Sequence, residues 1–328
     1  MSMLSVGSLD GHTAVTLEND RLSVVVLPGK GADIFSMVHK PSGIDALMKT
    51  PWGLKPASGS PQAEFLENYE GAWQELFPNA NDACKVEGRT IPFHGEVALR
   101  SWEWAVERDG PAGCVVALRV ETRSLPFRLE RRMVLDAGSP RLVLDESVTN
   151  LGSSRLPFVW GHHIVLGAPF LEAGCELDIP ATELRTPDEP YELATAELPG
   201  GQVRAWPFAD GSAPGSRVDL RRIPGPEAHT HDDVYLSGFR QGHWTVTNGR
   251  RGLRVSLDWD ADIFRSVTLW RPFGGSDLPP LTGIYGVGIE PWVSRHNLVQ
   301  AVEAGEARWL DAGESLRTTV VATFEATA

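Results

Sequence analysis

Cysteine is scarce in this chain of 328 residues, which contains only Cys84, Cys114 and Cys175. An odd number of cysteines without CxxC or CxxxC spacing argues against a disulfide framework and against a structural zinc site. Cysteine outside such sites behaves as a small buried hydrophobic residue. We therefore expect three buried thiols and no metal centre.

Long hydrophobic runs are also missing. The longest ones, residues 23–28 and 319–324, fall far short of the roughly 18 residues that a membrane-spanning helix needs. Residues 1–11 contain neither the basic segment nor the apolar segment of a secretory signal. The sequence therefore predicts no membrane partner and a cytoplasmic location.

Positive charge is in short supply, because 30 Lys and Arg residues stand against 43 Asp and Glu residues and leave a net charge of −13. Such a surface repels nucleic-acid phosphates and anionic lipid. The phosphate-binding P-loop, the glycine motif of dinucleotide-binding folds, the serine-hydrolase elbow and the HExxH zinc motif are absent. We expect a small-molecule partner and no nucleic acid.

The distribution of turn residues and alternating apolar residues is typical of a β-protein. The chain contains 24 prolines and 33 glycines, and it lacks long apolar stripes of helical period. The strongest hairpin signal is Asn248-Gly249. Helical turns are expected only near residues 61–69. The predicted strands cover residues 14–17, 22–27, 97–107, 114–122, 126–135, 141–150, 244–247 and 253–258.

Many short strands at steady spacing indicate an all-β sandwich or barrel. No linker or charge run divides the chain, so we expect one domain over residues 1–328. The Pro- and Gly-rich stretches 50–62 and 211–230 are predicted to be long connections between strands. Connections of that length often serve a binding site.

Histidines occur in two unusual settings. His94 stands beside Gly95 just before a predicted strand, and it is either structural or part of a site. His162 and His163 lie in an aromatic and apolar segment. Neighbouring strand residues face opposite sides, so only one of these two histidines can point into a given pocket, and the pair is a poor metal site.

Carboxylates mark two further spots. Glu290 lies in an otherwise uncharged strand end, where burial raises a carboxyl pKa toward neutrality and suits a general acid or base. Asp232 and Asp233 form either a solvated turn or part of a site. The polar segment 77–82 is likewise either an Asx-turn loop or part of a site.

Four motifs in one order resemble the aldose 1-epimerase (galactose mutarotase) family, as a divergent branch. Residues 17–22 and 27–32 also resemble that family's first hairpin, so the resemblance extends from about residue 15 to the end of the chain. It implies a large antiparallel β-sandwich, in agreement with the hairpin pattern. The motifs are Pro92-Phe93-His94-Gly95, Trp160-Gly161-His162-His163, Asp232-Asp233-Val234-Tyr235 and Gly288-Ile289-Glu290-Pro291-Trp292.

The resemblance implies acid–base opening and reclosing of a pyranose ring, without a cofactor. Glu290 would take the proton of the C1 hydroxyl group, and His163 would protonate the ring oxygen, with His162 as the alternative acid. His94 and Asp232 would hydrogen-bond the sugar, and Asp233 is the second candidate for the role of Asp232.

The resemblance also implies sugar contacts in a first binding loop, at Asn79 and Asn81. This loop lacks the arginine that the family commonly has there, which puts the identity of the sugar in question. A pyranose presents apolar C–H faces, so an aromatic wall is expected beside the polar groups. The candidates for that wall are Trp73, Trp160 and Trp292. We predict that His94, His163, Asp232 and Glu290 converge on one concave face with at least one of these indoles.

Other functions stay open at this point. A carbohydrate-binding or sensing protein on the same fold would need no acid–base pair, and another sugar epimerase or isomerase is a further alternative. A sugar lyase or hydrolase would need a second carboxylate about 5–9.5 Å from Glu290. A phosphorylated sugar would require basic residues, for which Arg271, Arg295 and Lys85 are the candidates. A monomer or a homodimer is expected.

Overall fold

Short strands make up most of the regular structure in the computed structural model, which describes residues 2–57 and 64–327. The first thirteen strands are β1 (Leu4–Leu9), β2 (His12–Glu18), β3 (Leu22–Leu27), β4 (Asp33–His39), β5 (Ile44–Asp45), β6 (Trp73–Leu76), β7 (Cys84–Val86), β8 (Arg89–Ile91), β9 (Glu103–Gly110), β10 (Gly113–Glu121), β11 (Phe127–Asp136), β12 (Arg141–Asn150) and β13 (Leu156–Phe158). The other thirteen are β14 (Gly161–Gly167), β15 (Glu176–Asp178), β16 (Glu183–Arg185), β17 (Val203–Ala205), β18 (Phe208–Asp210), β19 (Arg217–Asp219), β20 (Thr230–Ser237), β21 (Gly242–Asn248), β22 (Leu253–Trp259), β23 (Ser266–Phe273), β24 (Gly286–Trp292), β25 (Arg308–Leu310) and β26 (Ser315–Ala326).

Helical structure is sparse in the described part of the chain. The helix α1 (Leu298–Glu303) begins at Asn297, whose side chain accepts a hydrogen bond from the backbone N–H of Gln300. No helix among the described residues is long and apolar enough to cross a membrane. Three short 3-10 helices cover Leu66–Asn68, Val97–Leu99 and Pro226–Ala228.

Two large antiparallel sheets contain most of the strands in the described part of the chain, and the pairs β13-β25, β18-β19 and β7-β8 form three small sheets beside them. The first has the order β1-β2-β3-β4-β6-β14-β24-β23-β20-β16-β17, with β5 paired to β4, and the second has the order β15-β21-β22-β26-β12-β11-β10-β9. Their inner faces share one hydrophobic core. The predicted all-β sandwich is therefore confirmed.

Burial patterns show where the sheets are covered. Buried residues alternate along β11 and β12, because one face packs into the core and the other faces solvent. By contrast, all seven residues of β14 and all seven of β24 are buried. These two central strands of the first sheet are therefore covered on both faces, on one side by the second sheet and on the other by connecting segments. The three cysteines are buried and free, as expected.

Some local predictions were wrong. Residues 97–107 do not form one strand, because Val97 and Ala98 are buried in a 3-10 turn and the strand begins only at Glu103. The carbonyl oxygen of Ala98 lies so close to Gly31 that a Cβ atom at Gly31 would be 2.4 Å from it. This tertiary contact draws the segment away from the second sheet.

Connections also differ from expectation. Residues 249–252 join β21 to β22, so the predicted Asn-Gly turn is a longer loop in which the Asn248 side chain accepts from the Arg251 backbone. The predicted connection 211–230 contains β19 and a 3-10 turn. The helical turn expected near residues 61–69 is the 3-10 helix Leu66–Asn68, and residues 61–63 of that segment lie outside the described residues. Residues 58–62 of the predicted connection 50–62 also lie outside them.

A buried ion cluster connects the sheets. Nε of Arg131 on β11 donates to Glu146 on β12 at 2.9 Å, and its guanidinium also pairs with Glu75 on β6 of the first sheet. A third bond runs from Arg131 to the carbonyl oxygen of Ala32 at 2.8 Å. Burial and the neighbouring Glu146 raise the pKa of Glu75 to about 7, although Arg131 opposes this. The guanidinium thus keeps two buried carboxylates compensated at the sheet interface.

We expect Arg131→Met to lower the free energy of unfolding by about 3–5 kcal/mol, because two buried carboxylates lose their cation. The matched control is Arg132→Met, the next residue along β11, whose half-exposed guanidinium pairs with Glu107 at the surface. That change should cost less than about 1 kcal/mol. Urea unfolding at pH 7 measures both values, and equal losses would contradict the role of Arg131.

Candidate active site

The centre of the candidate site is a histidine–glutamate pair on the neighbouring strands β14 and β24. The register places Val165 opposite Gly288, so His163 and Glu290, two residues further along, lie across from each other. Nε2 of His163 is 3.5 Å from Oε1 of Glu290. His162 contacts the second sheet, so alternation turns His163 to the opposite face of the first sheet.

Two glycines make room for this pair. A Cβ atom at Gly161 would lie 2.1 Å from the indole of Trp292, and one at Gly288 would lie 2.4 Å from Oε1 of Glu290. The indole of Trp292 therefore covers Gly161, where its Nε1 lies within 3.2 Å of Oε2 of Glu290 and donates to it. Both motifs need a glycine because any side chain there would displace the tryptophan or the carboxylate.

His94 reaches the pair from a tight loop. Its backbone has a φ of 60°, in the left-handed region, and the next residue, Gly95, has a φ of 76°. The backbone N–H of Asn81 donates to Nδ1 of His94 at 3.1 Å, which places the ring hydrogen on Nε2. The His94 ring centre lies 5.6 Å from that of His163 and 5.8 Å from that of Trp292. His94 therefore offers an N–H donor beside the histidine–glutamate pair.

Aromatic rings enclose His163. Its ring centre is 5.6 Å from Phe65, 5.2 Å from Tyr69 and 5.7 Å from Trp270. Only 6% of His163 and 3% of Glu290 is exposed. The pair thus lies in a surrounding of low polarity, where electrostatic interactions are stronger than in water.

Burial shifts both members of the pair toward their neutral forms. Burial lowers the pKa of His163 to about 3. Burial, opposed by the Trp292 hydrogen bond and reinforced by the charge of Asp233, raises the pKa of Glu290 well above its usual value. Burial therefore favours a protonated Glu290 carboxyl beside a neutral His163, with Nε2 and Oε1 3.5 Å apart. One member can give a proton while the other takes one, as acid–base chemistry requires.

The structure places Asp232 away from this face. Its Oδ1 accepts from the backbone of Leu198 at 2.9 Å, and its Oδ2 lies 3.7 Å from Arg271. The predicted convergence of Asp232 with the pair is therefore not seen, because alternation along β20 turns it inward. Asp233 is the aspartate on the site face, opposite Trp270 in the register. The sequence alone could not predict which of the two aspartates lies on the site face of β20.

His162 and two of the three candidate tryptophans also lie inside the sandwich. Nδ1 of His162 accepts from Trp73 at 3.2 Å, and its Nε2 is 3.1 Å from Glu146. Trp160 donates to Glu75 at 2.8 Å. Trp292 alone of the three candidates lies on the wall of the site.

Asn79 and Asn81 shape the loop that carries His94. The Asn79 amide donates to the carbonyl oxygens of Asp82 and Pro92, and its Oδ1 accepts from the backbone of Leu298 at 2.7 Å. Both polar atoms of the Asn79 side chain thus have hydrogen-bond partners within the protein. Asn81 donates through its side chain to the carbonyl oxygen of Arg295 and through its backbone to His94.

The basic candidates are not grouped near the pair. Arg271 is turned inward beside Asp232, and Arg295 lies over the ring of Tyr235 at 5.8 Å. Lys85 is exposed on β7. Within residues 2–57 and 64–327, no group of three or more His, Cys, Asp or Glu side chains is placed to hold a metal ion.

Sequence reasoning missed a relay that fixes Trp270. Its Nε1 donates to Nε2 of His231 at 2.8 Å, and Nδ1 of His231 lies 3.1 Å from Oε1 of Glu192. Glu192 also accepts from Ser276 at 3.2 Å. His231 and Asp233 are two residues apart on one strand and share a face, which is the only signal that the sequence offered.

Several solved structures with the same architecture are named as aldose 1-epimerases or galactose mutarotase-like proteins. A candidate aldose 1-epimerase of Klebsiella pneumoniae subsp. pneumoniae MGH 78578 matches with a TM-score of 0.71 and 15% identity, over 97% of this chain and 80% of that one. A galactose mutarotase-like protein of Clostridium acetobutylicum matches with a TM-score of 0.68 and 15% identity, over 99% and 98%. A galactose mutarotase related enzyme of Lactobacillus acidophilus matches with a TM-score of 0.63 and 16% identity, over 96% and 98%. These matches confirm the galactose mutarotase-like fold, and their low identities agree with a divergent branch.

A family model described as a domain of unknown function, DUF4432, matches residues 9–323. The chain belongs to this family.

The lowered pKa of His163 predicts a specific pH dependence of stability. Below about pH 6.5, an unfolded histidine binds a proton that the folded state takes up only near pH 3. Folding stability should therefore fall as the pH drops from 6.5 toward 3, by up to about 1.4 kcal/mol per pH unit from this residue. His163→Asn lacks this contribution, so its stability relative to wild type should rise as the solution is acidified.

Urea unfolding at pH 7.5, 6 and 5 measures this difference between His163→Asn and wild type. A difference that stays constant over the three pH values would mean that folding does not lower the pKa of His163.

Proposed function

We propose that this protein is an aldose 1-epimerase that interconverts the α and β anomers of a sugar. The observation that carries the proposal is the buried His163–Glu290 pair, with Nε2 and Oε1 3.5 Å apart, in an aromatic enclosure. Ring opening needs one group that takes the O1 proton and another that gives a proton to the ring oxygen. A protein that only binds sugar has no use for such a pair.

In the proposed reaction, Glu290 accepts the proton of the C1 hydroxyl group while His163 donates a proton to the ring oxygen. The C1–O5 bond breaks and the C1 aldehyde forms. Rotation about C1–C2 turns the other face of the carbonyl toward the returning hydroxyl group, and reversal of both proton transfers closes the ring. Opening gives Glu290 one proton and takes one from His163, and closure returns both, so the pair is restored after each turnover.

These roles require an ionised Glu290 and a protonated His163 when the sugar is bound. In the empty site, burial favours the proton on Glu290. A sugar hydroxyl that donates to the carboxylate would stabilise its ionised form, and the proton then moves across 3.5 Å to Nε2 of His163. His94 donates from Nε2 to a sugar oxygen, Asp233 accepts from a hydroxyl group, and Trp292 packs against the C–H face.

We expect Glu290→Gln to lower turnover by about 10²-fold or more, because the amide cannot accept the O1 proton. The amide oxygen can still accept from Trp292, so the wall of the site should stay in place. Polarimetry of a freshly dissolved anomer measures turnover, and tryptophan fluorescence during a sugar titration measures binding.

The control for this change is Glu130→Gln, at an exposed position of β11, which should behave as wild type in both measurements. Unchanged mutarotation by Glu290→Gln would remove Glu290 from the mechanism. Loss of sugar binding together with turnover would mean that Glu290 binds the sugar and does not act as the base.

The adjacent histidines provide a second, internally matched test. His163→Asn should lower turnover by about 10²-fold, because the ring oxygen loses its acid. His162→Asn should instead lower the free energy of unfolding, because it removes the contact with buried Glu146 and the acceptor of Trp73. Turnover per folded molecule and urea unfolding separate the two effects. Equal, mild losses in both variants would mean that neither histidine is the acid.

A further inference from the structure

A small cavity lies next to the His163–Glu290 pair. Its volume is about 70 Å³, and Lys30, Asp33, Tyr69 and Gln74 are among its lining residues. Gln74 on β6 stands directly opposite His163 on β14 in the register. The Tyr69 ring also packs against His163, at 5.2 Å between ring centres. The cavity is thus on the side of His163 that faces away from Glu290.

The buried charged groups at the cavity form ion pairs with one another. Nζ of Lys30 lies 2.6 Å from Oδ2 of Asp33 and 2.5 Å from Oε2 of Glu70. One ammonium group therefore faces two carboxyl groups, and the cluster does not offer a free positive charge. Lys55 also lines the cavity, but it is exposed, so water and salt screen its charge.

Several polar atoms of this cluster have no hydrogen-bond partner among the described residues. They are Oδ1 of Asp33, Oε1 of Gln74 and the hydroxyl oxygen of Tyr69, each on a side chain that is at least nine-tenths buried. Buried polar atoms are nearly always hydrogen-bonded to protein, water or a ligand. Oε1 of Gln74 can only accept, so its missing partner must carry a hydrogen-bond donor.

The order of the strands indicates which part of a sugar reaches this cavity. Glu290, His163 and Gln74 lie on the adjacent strands β24, β14 and β6, and neighbouring strands are about 4.8 Å apart. In a pyranose, the ring oxygen joins C1 to C5. With O1 at Glu290 and the ring oxygen at His163, the substituent on C5 points toward Gln74.

We propose that the cavity is a subsite for an uncharged, hydroxylated arm on C5 of the sugar. This inference rests on the proposed function, and it limits the substrates to aldoses with a free hydroxymethyl group or a longer polyol at C5. The volume of about 70 Å³ accommodates roughly two water molecules or one such arm. A phosphate or carboxylate at this position would meet two carboxyl groups, against only the solvent-screened charge of Lys55 among the described lining residues.

The test compares sugars that differ only at C5. Galactose and glucose, their 6-deoxy analogues, the pentoses without C6 and the 6-phosphates are titrated against wild type by tryptophan fluorescence, and turnover is measured for each. We expect each hexose to exceed its 6-deoxy analogue and its pentose about tenfold in affinity and in kcat/KM. The 6-phosphates should bind more weakly still.

Two variants connect this preference to the cavity. Tyr69→Phe removes a hydroxyl group that has no partner among the described residues. Gln74→Met removes the amide oxygen, which likewise has none there, together with the amide group that donates to the carbonyl oxygen of Gly71. Each should reduce the preference for the hexose over its 6-deoxy analogue to about threefold or less. Tyr235→Phe, on β20 and three strands from β14, is the matched control and should keep the full preference.

The outcomes separate this inference from the proposed function. Turnover without discrimination at C6, or equal binding of the 6-phosphates, would overturn the subsite and leave the epimerase proposal intact. A C6 preference in binding without any turnover would support the subsite and overturn the epimerase proposal. A preference that neither cavity variant reduces would mean that the cavity holds only water.

Discussion

Strand alternation along β14 is the constraint on which the rest of the site depends. His162 points into the sandwich, 3.1 Å from Glu146, while His163 points outward, 3.5 Å from Glu290. A shift of one residue in register would exchange the two rings and destroy both arrangements. The ion cluster around Arg131 holds this register, because it joins both sheets directly behind the site. The polar core of the sandwich and the chemistry of the outer face are thus two sides of one strand.

Burial gives the outward-facing pair its acid–base character, and it also has a cost in stability. The same aromatic enclosure that lowers the pKa of His163 raises that of Glu290. Among the described residues, neither group pairs with a lysine or an arginine, whereas Glu146 pairs with Arg131. Such perturbed groups are typical of functional sites. The site therefore resembles a preorganised acid–base centre more than a structural ion pair.

The sequence allowed the fold to be predicted well, because alternating apolar residues and turn residues report local strand structure. His163 and Glu290 could be singled out because glycines and aromatic residues surround them in unusual motifs. The inward position of Asp232 could not be predicted, since the phase of β20 is set by its pairing with β23. Tyr69 and Trp270 come from distant segments without any motif, so only the folded chain brings them to His163.

The most direct measurement of the central claim is proton NMR saturation transfer between the anomeric protons of unphosphorylated aldoses in the presence of the wild-type protein. The account predicts exchange between the α and β signals at a rate that exceeds the spontaneous rate and rises in proportion to protein concentration. It also predicts that the exchange persists after exhaustive chelation of metal ions. Binding of the sugars without any increase in anomer exchange would contradict the account.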